Sequence, residues 1–214
     1  MSDTLASAME APRRHLTERQ VELVQRLVEA AADEVEEHGY GPITVRSIAK
    51  RAGVATATAY TYFSSKDHLL SEVLWRRMQA LPPPLVDRER PVSERVAEVV
   101  AEMSLGTVDR PDLAAACTTA LLAPGPDVQR VRSQIGAEIH RRLQAALGSE
   151  GDPAVLRVLE TTYSGAMLSA GLGHIEFAEL PNRLAEAAAL LTGEHLSSNS
   201  GPHRRSSPGV RSGQ

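Results

Sequence analysis

Between residues 39 and 66 lie four cations, Arg46, Lys50, Arg51 and Lys66, and no Asp or Glu, in a chain of 214 residues with a net charge of -4. A local positive patch in an acidic chain is the electrostatic footprint of a nucleic-acid partner, since cations gathered on one surface pair with backbone phosphates. Among them stand small hydroxyls and phenols, Thr44, Thr56, Thr58, Tyr60, Thr61 and Tyr62, side chains suited to phosphates and base edges. Ser64 and Asp67 have capping-box spacing, which places Lys66 at a positive helix N-terminus where a phosphate is doubly favoured. No other chemistry is spelled out. The seven histidines, at 15, 38, 68, 140, 174, 195 and 203, form no paired metal spacing, and Cys117 is a lone thiol. Neither a Gly-rich phosphate loop nor a nucleophile motif occurs, so no catalytic residue, cofactor or metal is expected.

Short helices must present the patch. Thr44 can cap a helix whose apolar members Ile48, Ala49 and Ala52 share a stripe. Gly53 permits a left-handed turn, and a second helix over about 56–63 points Ala59 and Phe63 inward. This is the outline of a helix-turn-helix. Before it, Thr17 and Gln20 form a capping pair for a long amphipathic helix with Val21, Val24, Leu27, Val28, Ala31 and Val35 on one stripe and Gly39 as its stop. After it, Leu69, Leu70, Val73, Leu74, Met78 and Leu81 mark a fourth helix that ends at Pro82-Pro83-Pro84 and links the two halves of the chain.

Five more helical patterns follow, at about 92–108, 112–122, 126–147, 153–177 and 181–195, with turn signals at 109–111, 124–126 and 148–153. No stretch alternates as a strand does, and the expected fold is all-α: a three-helix DNA-binding domain followed by a larger helical domain. The expected division is an N-terminal arm (1–15), the helix-turn-helix domain (16–66), a helical effector-binding and dimerisation domain (67–196), and a tail (197–214). That tail is rich in Ser, Gly and Pro and reads as disordered. No apolar run reaches the roughly 18 to 20 residues of a membrane span, and no signal peptide is visible. A cytoplasmic protein is expected, without a membrane partner and, with one Cys, without an internal disulfide.

At the residues of this helix-turn-helix the chain resembles the TetR family of bacterial transcriptional regulators, and the resemblance covers about residues 16–75, the first third of the chain. The matching positions are Thr44, Arg46, Ile48, Ala49, Ala52, Gly53, Val54, Thr58, Tyr60, Tyr62, Phe63, Lys66, Leu69 and Leu70. Two departures bear on function. Ala55 replaces the usual Ser cap, leaving Thr56 as the alternative cap. Thr56 and Thr61 stand where basic side chains are common, which shifts phosphate grip toward Arg46, Lys66, Arg13, Arg14 and His15 and implies a shallow salt dependence.

The resemblance implies a homodimer on a double-stranded operator and a small-molecule effector held in the second half. Trp75, Met78, Met103, Cys117, Thr118, His140, Tyr163 and Met167 are the candidate ligand residues: apolar walls with a few polar anchors. With aromatic residues at 3% of the chain, the walls should be aliphatic and the effector aliphatic or lipid-like. Gly165, Ser169 and Gly173 recur at four-residue spacing. With Leu184, Ala188 and Leu191 of the next helix they form the candidate dimer interface, because the family pairs its last two long helices between subunits. A small-residue face can equally pack within one subunit. A repressor released by its effector is the functional expectation, and a helical interaction protein without specific DNA binding is the alternative.

Overall fold

The computed structural model describes residues 18–149 and 151–193, with the side chains of 105–108 left aside. Among the described residues the regular structure is entirely helical. The order is α1 (Glu18–His38), α2 (Val45–Arg51), α3 (Thr56–Tyr62), α4 (Lys66–Gln79), α5 (Val92–Val108), α6 (Pro111–Leu121), α7 (Pro126–Leu147), α8 (Pro153–Gly171) and α9 (Leu180–Thr192). A 3-10 turn, Phe177–Glu179, precedes α9. No described helix is long and apolar enough to cross a membrane. Thr17, the N-terminal arm and the tail lie outside the described residues.

Local chemistry explains the first three helices. The α1 stripe buries Val24, Leu27, Val28, Ala31 and Val35. Thr44 caps α2: its hydroxyl accepts from the Ser47 N–H at 3.0 Å while the Ser47 hydroxyl accepts from the Thr44 N–H at 3.0 Å. Gly53 turns the chain at φ 65°, a left-handed value that a side chain would resist. Ala59 and Phe63 then drop into the core at 0% and 3% exposure. The cap of α4 is Ser65, which accepts from the His68 N–H at 3.0 Å. Ser64 had been expected there, but its hydroxyl is turned toward α7. Ala55 caps α3 without a side-chain bond, and Thr56 is the first residue of that helix.

Two apolar clusters hold the molecule. The first joins α1–α4 and takes in Leu113, Ala116, Cys117 and Ala120 of α6, so the helix-turn-helix unit, below called the reader, is built onto the second half. The second cluster gathers α5, α7, α8 and α9 around Val96, Val100, Leu143, Leu159, Leu180 and Leu184. Arg142, 1% exposed, crosses the middle of the fold. It donates to Glu138 at 2.7 Å and to the carbonyls of Leu81 and Pro82 at 3.2 and 3.0 Å, fastening the proline-rich link after α4 to α7.

The last helices depart from the periodicity. The pattern expected over 153–177 ends at Gly171 and the chain turns before the 3-10 segment. At Gly171 α8 approaches α6 closely: a Cβ there would lie 3.0 Å from Thr118 Cγ2. Leu184 and Ala188 are fully buried at 0% exposure within one subunit, because α9 turns that face onto the α5 core. They are therefore core residues rather than dimer-interface residues.

Candidate nucleic-acid interface and effector cavity

The outer face of α3 carries Tyr60, 52% exposed, with Thr61 beside it and Thr56 and Thr58 half-buried on the flanks. The Thr61 hydroxyl donates to the Ala57 carbonyl at 3.2 Å. Tyr62 is half-buried and packs against the first cluster. Thr44 and Arg46 are both exposed, the first at the cap and the second in the first turn of α2.

The four cations separate into two kinds. Arg46 and Lys50 are exposed and make no ion pair among the described residues. Arg51 turns back to α1, where its guanidinium bonds Glu34 at 2.6 Å and also Glu37. That guanidinium holds the Glu34 carboxyl below the usual carboxylate range. Lys66 donates to the carbonyls of Tyr40 and Gly41 at 2.8 and 3.1 Å, and its ammonium lies 4.1 Å from the centre of the Tyr40 ring. The Tyr40 hydroxyl in turn donates to Asp67 at 2.6 Å, and burial first, then that carboxylate, pushes the phenol up to about 12. Lys66 is thus a staple across the α1–α2 turn in the unbound protein. Arg13, Arg14 and His15 lie outside the described residues.

A contact that no local pattern announces joins the reader to the second half. The Ser64 hydroxyl donates to Asp127 at the start of α7, 2.8 Å away. That bond, and next to it His68 and Arg130, hold the Asp127 carboxyl below its ordinary range. His68 stacks edge-on against Phe63 at 5.3 Å, and burial pushes its imidazole down.

Between α4, α5, α6, α7 and α8 lies a cavity of about 500 Å³. Met78, Met103, Thr118, Tyr163 and Met167 line it, as does Gly165 at its rim. Leu74, Leu121, Ile135, Ile139 and Leu168 complete the apolar wall, and they were missed because aliphatic residues at helical spacing carry no signal beyond core. Burial pushes the Tyr163 phenol up to about 12. Arg132 stands at the edge, donating to Gln129 and to the Ala123 carbonyl at 3.0 Å each. Three expected ligand residues lie elsewhere. Trp75 faces a separate depression with Leu81 and Arg142. Cys117 points from α6 into the first cluster, where burial pushes its thiol up to about 12. His140 is exposed on α7 and meets Glu160 of α8 at 2.6 Å. A second depression of about 490 Å³, between α1 and α4, is edged by charges already paired, Arg110 with Asp33 at 3.5 Å and Arg76 with Glu72 at 2.9 Å. The first is therefore the apolar site. Among the described residues no three His, Cys, Asp or Glu side chains converge as a metal site would need.

Comparison with known proteins agrees with this architecture. The family model for bacterial regulatory proteins of the tetR family matches residues 27–73, from the middle of α1 into α4. A helix-turn-helix (HTH-type) transcriptional regulator of Mycobacterium tuberculosis is 41% identical over 175 residues, covering 81% of this chain and 82% of the relative. This chain belongs to the TetR family. It is a transcriptional regulator whose DNA-binding helix-turn-helix is formed by α2 and α3. The repressor KstR of Rhodococcus jostii is 26% identical over 202 residues, covering 90% of this chain and 93% of that one. Among solved structures, a TetR regulator from Rhodococcus sp. RHA1 superposes with a TM-score of 0.68 at 24% identity, over 86% of this chain and 100% of that one. FadR from Bacillus subtilis, solved with stearoyl-CoA, superposes at 0.55 and 20% identity over 80% and 99%. These two structures bear on the fold alone.

Proposed function

We propose that this protein is a homodimeric repressor that leaves a palindromic operator when an aliphatic or lipid-like effector enters the cavity. The observation that carries the reading is the double role of α4. Its first turn begins beside the reader, at Ser65 and Lys66, while Leu74 and Met78 further along form part of the cavity wall. A ligand that displaces α4 changes the setting of α3. The α6–α7 turn offers a second link, with Arg132 bonded to Ala123 on the cavity side and Asp127 bonded to Ser64 on the reader side. An effector acts only through its differential affinity for the two settings, about 1 to 3 kcal/mol in typical coupled systems. The aliphatic wall supports the ligand class.

Dimerisation rests on α8 and α9. Val158 and Gly165 of α8 and Leu172, the residue that caps its C-terminus, recur every seven residues and are all exposed, Leu172 at 62%. Leu168 and the half-buried Ser169 lie on the same side, and Leu190 and Leu191 are exposed on α9 at 81% and 39%. A second copy covering this face removes the apolar stripe from water and presents two α3 helices to adjacent major grooves about 34 Å apart. In this reading Gly165, Ser169 and Leu191 remain interface residues, whereas Gly173 lies beyond α8 in a left-handed turn at φ 75° and no longer shares that helical face. Residues 16–66 act as the reader and 67–196 as the effector-binding and dimerising part.

The test is selection of bound duplexes from random DNA with the full-length protein, followed by release with fatty acids and acyl-CoAs of graded chain length. A two-fold symmetric site released by long chains is expected. Selection of no duplex would leave the helical interaction protein as the better description, and a selected site that no aliphatic ligand releases would overturn the effector class.

A further inference from the structure

The α3 helix reads Thr-Ala-Thr-Ala-Tyr-Thr-Tyr over residues 56–62, without one charged or amide side chain. Its solvent face is made by Ala57, Tyr60 and Thr61, at i, i+3 and i+4, since Ala59 is buried and Tyr62 leans on the core. The donor hydrogen of Thr61 is already given to the Ala57 carbonyl at 3.2 Å. What the face presents outward is therefore the Ala57 and Thr61 methyls and the ring and phenol of Tyr60.

Major-groove edges are read by matching chemistry. Guanine is taken by Arg or Lys, adenine by Asn or Gln, cytosine by an acid, and the thymine 5-methyl by apolar contact. This helix lacks the first three kinds of reader, which leaves hydroxyls, able to serve more than one base, and the apolar atoms that suit the thymine methyl. Phosphate anchoring falls to Arg46 and Lys50 of α2, which are exposed and without an ion pair among the described residues; such contacts set position without reading sequence. The short side chains at 57 and 61 also let the α3 backbone come close to the groove floor.

We propose that α3 reads its half-site through thymine 5-methyl groups, with Ala57 and Thr61 making the apolar contacts on either side of Tyr60. The inference rests on the operator-binding reading above and specifies its chemistry. Each contacted thymine contributes its buried methyl, and removing that methyl weakens binding about fourfold, the loss expected for one buried carbon of this size.

The test uses full-length protein and a duplex selected by it, in fluorescence anisotropy at fixed salt. Thymines of the half-site are replaced one at a time by deoxyuridine, which deletes the methyl and leaves the pairing unchanged. The expected result is a loss of about fourfold at two or more positions. Thr61→Ser, which removes one methyl and keeps the hydroxyl, should abolish the deoxyuridine effect at one of them, so that the two losses are not additive. Unchanged affinity on every deoxyuridine duplex, or selection of a half-site without thymine, overturns this inference and leaves operator binding standing. Failure to bind the unmodified duplex overturns both.

Discussion

Lys66→Met separates two roles for one ammonium. In the unbound protein it donates to Tyr40 and Gly41 carbonyls at 2.8 and 3.1 Å and lies 4.1 Å from the Tyr40 ring centre. A hydrogen bond to a charged group contributes about 1.5 to 3 kcal/mol, and a cation over an aromatic face at a partly exposed site about 0.5 to 1 kcal/mol. Gly41 is exposed, so water replaces the lysine at that carbonyl, whereas Tyr40 is half-buried and its carbonyl loses its partner. Methionine keeps the aliphatic stem against the ring. The net cost is then about 2 kcal/mol, equivalent to a fall in Tm of about 4 to 8 °C for a chain of this size. Thermal unfolding followed by circular dichroism reads it, and anisotropy on operator and scrambled duplexes reads DNA affinity in parallel. Both should fall, the second by a similar factor on the two duplexes, because a displaced α1–α2 turn and a lost phosphate contact carry no sequence preference. A melting temperature within 1 °C of the unaltered protein, by this ~2 kcal/mol reckoning, together with weakened DNA binding would refute the staple and leave Lys66 as a phosphate ligand alone.

Arg142→Met should destabilise by about 1 to 3 kcal/mol in urea unfolding, since it leaves the Leu81 and Pro82 carbonyls without their buried donor while Glu138 keeps Arg141. Glu138 itself is held below its ordinary value near 4.5, by Arg141 first and Arg142 after it. Its contribution is therefore complete above that value and lost as pH falls through the lowered one, and Glu138→Gln should flatten the acid limb of stability against pH below about pH 4.5. Equal slopes for the two proteins would remove that assignment. Arg46→Ala should weaken binding to operator and scrambled duplex alike, reducing the slope of log K against log salt by about 0.9, with the melting curve unchanged. Leu172→Glu should convert the proposed dimer to a folded monomer in sedimentation, because Leu172 is 62% exposed in one subunit; an unaltered protein that sediments as a monomer, or a dimer that persists in the variant, would refute the proposed interface.

Much of the architecture was readable in the sequence because it is local chemistry. The Thr44 cap, the Gly53 turn, the stripes of α1 and α4 and the proline stop each involve residues within a turn or two of one another, so spacing alone announces them. The charge count around α2 and α3 was equally plain, yet only packing distinguished Arg46 and Lys50, which remain open, from Arg51 and Lys66, which are bound to α1 and its turn. Periodicity says which residues share a stripe, and it is silent on which neighbour that stripe meets. The stripe of Leu184 and Ala188 suits a surface between subunits as well as a core, and α5 covers it; Cys117, equally suited to the cavity wall, points the other way. Ser64 and Asp127, like Arg142 and the Leu81 carbonyl, are more than sixty residues apart. Such partners are chosen by how the helices close around a common core, where excluding water and satisfying buried polar groups must be solved together, and only the folded chain contains that solution.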